Sequence, residues 1–112
     1  MELNEMIGRT RGTWVLEGDR SIEQKDIELL YAALALGGEA GELQNYIKKD
    51  FRKKYYHKVH AMKDDEFIPS VKSEIADILY YVSRVADILG ISLEEAFDEK
   101  MRENESRYMK PQ

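Results

Sequence analysis

A chain of 112 residues fits a single domain, and at that size only about two-thirds of the unfolded surface is buried, so the core is thin. It contains no cysteine, which removes disulfides and thiolate metal sites, and its net charge of −5 opposes general binding to nucleic acid. No apolar run approaches the ~20 residues needed to span a bilayer. Acids at Glu2 and Glu5 stand where a signal peptide carries positive charge, so the expected setting is cytoplasmic, without a membrane partner.

In chain order, a short helix is predicted over about residues 2–11, followed by a loop through Gly12, Gly18 and Asp19. Ser21 with Gln24 three residues on forms a capping box for the next helix, which runs to about Lys54. Its stripe of Leu29, Leu36, Leu43 and Ile47 is joined by a second apolar side of Ile27, Leu30 and Leu34. A helix apolar on two sides is central to a bundle or shared between subunits, and a homodimer or homotetramer is expected. Gly37, Gly38 and Gly41 each cost about 1 kcal/mol in a helix interior, and close approach of another backbone or a ligand is the expected reason.

Residues 55–69 have no clean period and read as a helix end and a loop, with Pro69 placed to open the third helix. Ile75, Ile78, Leu79, Val82, Val85, Ala86 and Leu89 then make one continuous stripe, and Gly90 ends it. Ser92 with Glu95 is a second capping box, opening a last helix to about Tyr108. The expected architecture is all-α, a bundle of four to five helices forming one domain over 1–112, with an N-terminal helix and loop to residue 20 and a tail at 109–112.

The acids carry the chemistry. Glu39, Glu42 and Tyr46 share one sector of their helix, and Glu74, Asp77 and Tyr81 share one on theirs, each beside an apolar stripe. Antiparallel packing of the stripes brings four carboxylates together, and four anions stay there only if cations or protons neutralise them. Oxygen ligands without His or Cys select Mg²⁺, Mn²⁺ or Ca²⁺. Between Lys48 and Lys63 there are seven basic residues against one acid. Lys49 and Lys53 fall in the sector of the first carboxylate pair, within reach of a triphosphate. Trp14, the single tryptophan, either stacks on a base or packs against the bundle. His57 and His60 read as surface residues. There is no P-loop motif, no Glu-x-x-His pair for a di-iron site, and the helix-turn-helix pattern at 85–97 would present acids to phosphates.

Leu36-Gly-Gly-Glu-Ala-Gly-Glu-Leu43 and Glu74-Ile-Ala-Asp-Ile-Leu-Tyr-Tyr81 resemble the two signatures of MazG-like nucleoside triphosphate pyrophosphohydrolases. Leu89–Ala96, with Lys100, Asn104, Arg107 and Tyr108, is similar to the C-terminal helix of that family, so the resemblance covers about residues 26–108. It departs in the 31 residues between Glu42 and Glu74, more than many compact members carry, and in Met109, where proline is frequent. The resemblance implies Mg²⁺-dependent hydrolysis of NTP or dNTP between the α and β phosphates, for nucleotide-pool control or house-cleaning. It implies that Glu39, Glu42, Glu74 and Asp77 hold the metal, with Mn²⁺ as a substitute. It further implies that Lys100, Asn104, Arg107 and Tyr108 contact phosphates or sugar and that Tyr81 lies near the nucleotide. Glu39 or Glu42 is the expected group to orient or deprotonate the attacking water. The alternative is a non-catalytic nucleotide-sensing or oligomerisation module on the same fold.

Overall fold

The computed structural model describes residues 1–16, 22–56 and 63–109. Four helices hold nearly all of them: α1 (Leu3–Thr13), α2 (Ile22–Tyr56), α3 (Asp64–Leu89) and α4 (Leu93–Tyr108). No strand occurs among the described residues, so the fold is the all-α bundle that the periodicity predicts. No helix among them is long and apolar enough to cross a membrane. Ser21, Gly18, Asp19, His57 and His60 lie outside the described residues, so the first capping box and the two histidines are not placed.

α2 has 35 residues, which at 1.5 Å per residue makes about 52 Å. It spans the 52 Å longest dimension of the molecule by itself. α3 lies along it in the opposite sense, since Ala32 packs in one cluster with Ile88 while Glu39 meets Glu74 and Asp77. The core is small: buried Trp14, Ala32 and Ile88, with Leu16, Leu29, Tyr80, Tyr81 and Val85 packed around them.

The helix ends follow local chemistry, with one correction. α3 begins at Asp64, five residues before the start that Pro69 suggests. Glu66 N–H donates to the Lys63 carbonyl at 3.1 Å, and Asp65 and Glu66 put negative charge at the positive end of the helix. Pro69 therefore sits inside the second turn, where it withholds one main-chain donor and crowds the carbonyl of Asp65. Gly90 closes α3 at φ 70°, a left-handed conformation suited to glycine, and Ile91 N–H reaches back to the Ala86 carbonyl at 2.8 Å. Ser92 caps α4 by accepting from Glu95 N–H at 3.3 Å.

The chain is open. Its radius of gyration is 17.9 Å, against about 13 Å for a compact domain of this length. α4 buries no residue and packs against α1. The second apolar side of α2 is exposed as the sequence implies, with Leu34 at 69 % and Ile27 and Leu30 beside it. The α3 stripe departs from expectation: only Ala86 of it is buried, while Ile75, Leu79 and Leu89 face solvent. The reason is geometric, because α3 turns Glu74, Arg84 and Ile88 inward and leaves part of its stripe only partly covered among the described residues.

Candidate metal centre and the cleft beside it

α2 supplies Glu39 and α3 supplies Glu74 and Asp77, one turn apart, so both acids of the second pair share a face. One carboxylate oxygen from each of the three lies within 4.8 Å of the other two. Glu74 is 9 % exposed, and its Oε2 is buried without a hydrogen-bond partner. Its pKa is raised from 4.5 to about 7, first because Glu39 sits close enough to share a proton, then through burial and the charges of Glu39, Asp77 and Glu42. A buried carboxylate with one partnerless oxygen, set beside two other carboxylates, fits a divalent cation with oxygen ligands. Glu42 is exposed and stands outside the tight group of three, adding only its field.

The helix that carries Glu39 is not crowded by its glycines. A side chain added at Gly37, Gly38 or Gly41 meets nothing within 4 Å, so the close approach inferred from them does not occur within this chain. Lys49 continues α2 two turns past Glu42, with its Nζ 5.9 Å from the Tyr46 ring centre. Lys53 lies one turn further along. Lys100, Asn104, Arg107 and Tyr108 are on α4, where Lys100 and Arg107 both pair with Glu103, and α4 packs on α1 while the carboxylates lie between α2 and α3. The single chain thus brings Glu39, Glu74 and Asp77 together and leaves the α4 residues apart.

Beside the acids lies a cleft of about 430 Å³ walled by Trp14, Tyr31, Tyr80 and Tyr81 and bordered by Glu39 and Asp77. Trp14 is 7 % exposed. Tyr31 meets its ring edge-on at 5.8 Å between centroids, and Tyr80 leans on it at 6.5 Å. The hydroxyls of Tyr80 and Thr13 share a hydrogen bond of 2.9 Å. Burial first, then neighbouring Tyr31 and Glu39, raises the Tyr81 phenol above its usual range. Trp14 therefore both packs against the bundle and lines the cleft.

A second charged cluster lies behind the tryptophan. Arg84, 1 % exposed, stacks its guanidinium 4.9 Å from the Trp14 ring centre and donates to Asp87 at 2.8 Å. Arg11 donates twice to the same carboxylate, at 2.6 and 3.0 Å. Arg11 first, with Arg84 adding to it, holds the Asp87 carboxyl below its usual 3.8. Glu28, 3 % exposed, accepts from the indole Nε1–H at 2.6 Å. None of Glu28, Arg84, Tyr31 and Tyr80 is singled out by the sequence patterns above. A signal existed: Glu28, Ala32, Ala35 and Glu39 follow the spacing i, i+4, i+7, i+11, as do Asp77, Tyr81, Arg84 and Ile88, so each carboxylate row continues into the Trp14 cluster.

Comparison with known proteins places the sequence in a family. The family model described as MazG nucleotide pyrophosphohydrolase domain matches residues 28–110. The Gene 37 protein of Mycobacterium phage L5 is 30% identical over 79 residues, which is 70% of this chain and 65% of that protein. The chain thus spans just under two-thirds of that relative's length. No solved structure matches it.

Proposed function

We propose that this chain, which belongs to the MazG nucleotide pyrophosphohydrolase family, hydrolyses nucleoside triphosphates, ribo or deoxy, between the α and β phosphates to a monophosphate and pyrophosphate. The observation that carries the reading is the meeting of Glu39, Glu74 and Asp77 oxygens within 4.8 Å, from two helices, with one of those oxygens' carboxylates buried and short of a partner. Such a set would hold Mg²⁺, with Mn²⁺ as substitute, and Glu42 would be the further carboxylate available to it. When bound, the ion neutralises phosphate charge and makes a coordinated water more acidic.

The chain's own groups do the rest. Glu39 and Glu42 are the candidates to orient the water or accept its proton, Glu42 being the freer because it stands outside the tight group. Trp14 and Tyr81 take the base and sugar side of the nucleotide in the aromatic cleft. Lys49 and Lys53 extend from the site along α2 as phosphate contacts. Lys100, Asn104, Arg107 and Tyr108 reach phosphates or sugar from α4 of a second copy, because within one chain they stand away from the acids. The exposed apolar side of α2 and the open shape favour that homo-oligomer, a dimer or a tetramer.

The test is pyrophosphate release from a panel of NTPs and dNTPs with Mg²⁺ and with EDTA. Release that needs Mg²⁺ and is lost in Glu39→Gln is the expected result. Full rates in both Glu39→Gln and Glu42→Gln would overturn the mechanism. Tight Mg²⁺-dependent nucleotide binding with no release would instead mark a sensing module.

A further inference from the structure

Glu28 and Arg84 are buried charged residues that take no part in the metal centre. A buried salt bridge is weak evidence for a stabilising role, and Glu28 accepts from an indole N–H, so stability alone does not account for the two. What they share is one indole. Glu28 Oε1 fixes Trp14 by its Nε1–H at 2.6 Å, and Arg84 covers the ring at 4.9 Å. Tyr31 and Tyr80 hold its other contacts. Trp14 needs such restraint because it follows the last residue of α1, with its backbone extended (φ −76°, ψ 112°) and its N–H bonded only to the Arg11 carbonyl. Trp14 is among the residues that line the cleft beside Glu39 and Asp77.

We infer that Glu28 and Arg84 are positioning residues: from the same helical rows as the carboxylates, they lock Trp14 as the fixed wall against which the nucleobase rests. This rests on the nucleotide reading of the site. The cleft has no cation and no carboxylate other than Glu39 and Asp77 among its lining residues, so what it offers beyond the acids is aromatic surface and hydroxyls, suited to a flat uncharged ring. Glu28 and Arg84 then act on how the base is held and leave the phosphates to the metal centre.

Because Trp14 is the single tryptophan, its emission reports the cleft directly. The experiment titrates the intact protein, with Mg²⁺, with an α,β-methylene nucleoside triphosphate and separately with inorganic triphosphate, which has no base. The inference expects both to bind and only the nucleotide to change Trp14 emission. Glu28→Leu should lose the near-ultraviolet circular dichroism of the fixed indole and about tenfold in nucleotide affinity, with affinity for inorganic triphosphate retained. Glu28→Gln, which keeps an acceptor oxygen, should restore both. A role in folding alone would lower the melting temperature and weaken both ligands alike, and that result overturns the inference. So does unchanged wild-type emission on nucleotide binding, which remains decisive if Glu28→Leu does not fold. Failure of the wild type to bind either ligand overturns the nucleotide reading itself.

Discussion

Two clusters of charged side chains lie between the helices of this protein, and they are neutralised in opposite ways. At one end of the α2–α3 pair, Asp87 is enclosed by Arg11 and Arg84, so that its charge meets opposite charge inside the chain. Near the middle, oxygens of Glu39, Glu74 and Asp77 lie within 4.8 Å of one another, and Glu74 Oε2 is buried without a partner. Burying a charge is costly unless it is paired. The first cluster meets that cost locally and so is part of the fold. The second leaves it to something bound from outside, and so is a site.

The contrast is sharpest in substitutions. Glu74→Gln and Asp77→Asn should each reduce pyrophosphate release on the order of a thousandfold, several kcal/mol of lost charge stabilisation. The same changes relieve repulsion, so the melting temperature of the metal-free variants should equal or exceed that of the wild type. A drop in melting temperature with activity intact would erase the distinction between the clusters. Asp87→Ala should do the reverse to stability, costing about 3–5 kcal/mol in urea unfolding because Arg84 is left as an uncompensated buried charge. A cost below 1 kcal/mol would mean that Arg84 finds water or another acceptor.

Assembly gives the next effect. Leu34→Glu, on the exposed side of α2, should reduce the sedimenting mass to one chain, and a wild type already monomeric at micromolar concentration would contradict it.

The smallest effects are in pH, and they have opposite signs. Asp87 is held below 3.8, so its contribution is complete above that value and is lost as pH falls through the lowered pKa; Asp87→Asn should flatten this acid limb of the stability curve. Glu74 in metal-free protein is raised from 4.5 to about 7, so its contribution is present below 4.5 and is lost as pH rises through about 7. Glu74→Gln should remove that upper limb, which denaturation at a series of pH values in EDTA would reveal.

Much of this was legible in the sequence. Helical periods, Gly90 as a stop and Ser92 as a cap are short-range features, and all three are found in the structure. The spacing of Glu39 against Glu74 and Asp77 foretold their meeting, because antiparallel stripes leave few other registers. Pro69 misled, since a proline marks where a helix can start without forbidding one further turn of acid-rich helix before it. The glycines meet no neighbour among the described residues of this chain, and an open helix face and a crowded one look alike in sequence. Glu28 and Arg84 went unseen because burial of a charge depends on the partner brought by another element, here Trp14 from the end of α1. The exposed stripe of α3 shows the same limit, for periodicity tells which side is apolar and not whether this chain or another covers it.

The most direct test of the account is a Mn²⁺ titration of metal-free protein, followed by loss of the free-ion EPR signal, in the wild type and in Asp77→Asn. The account predicts saturable uptake by the wild type and its loss in the variant, with Asp87→Asn binding as the wild type does. Equal uptake by all three, or none by the wild type, would contradict it.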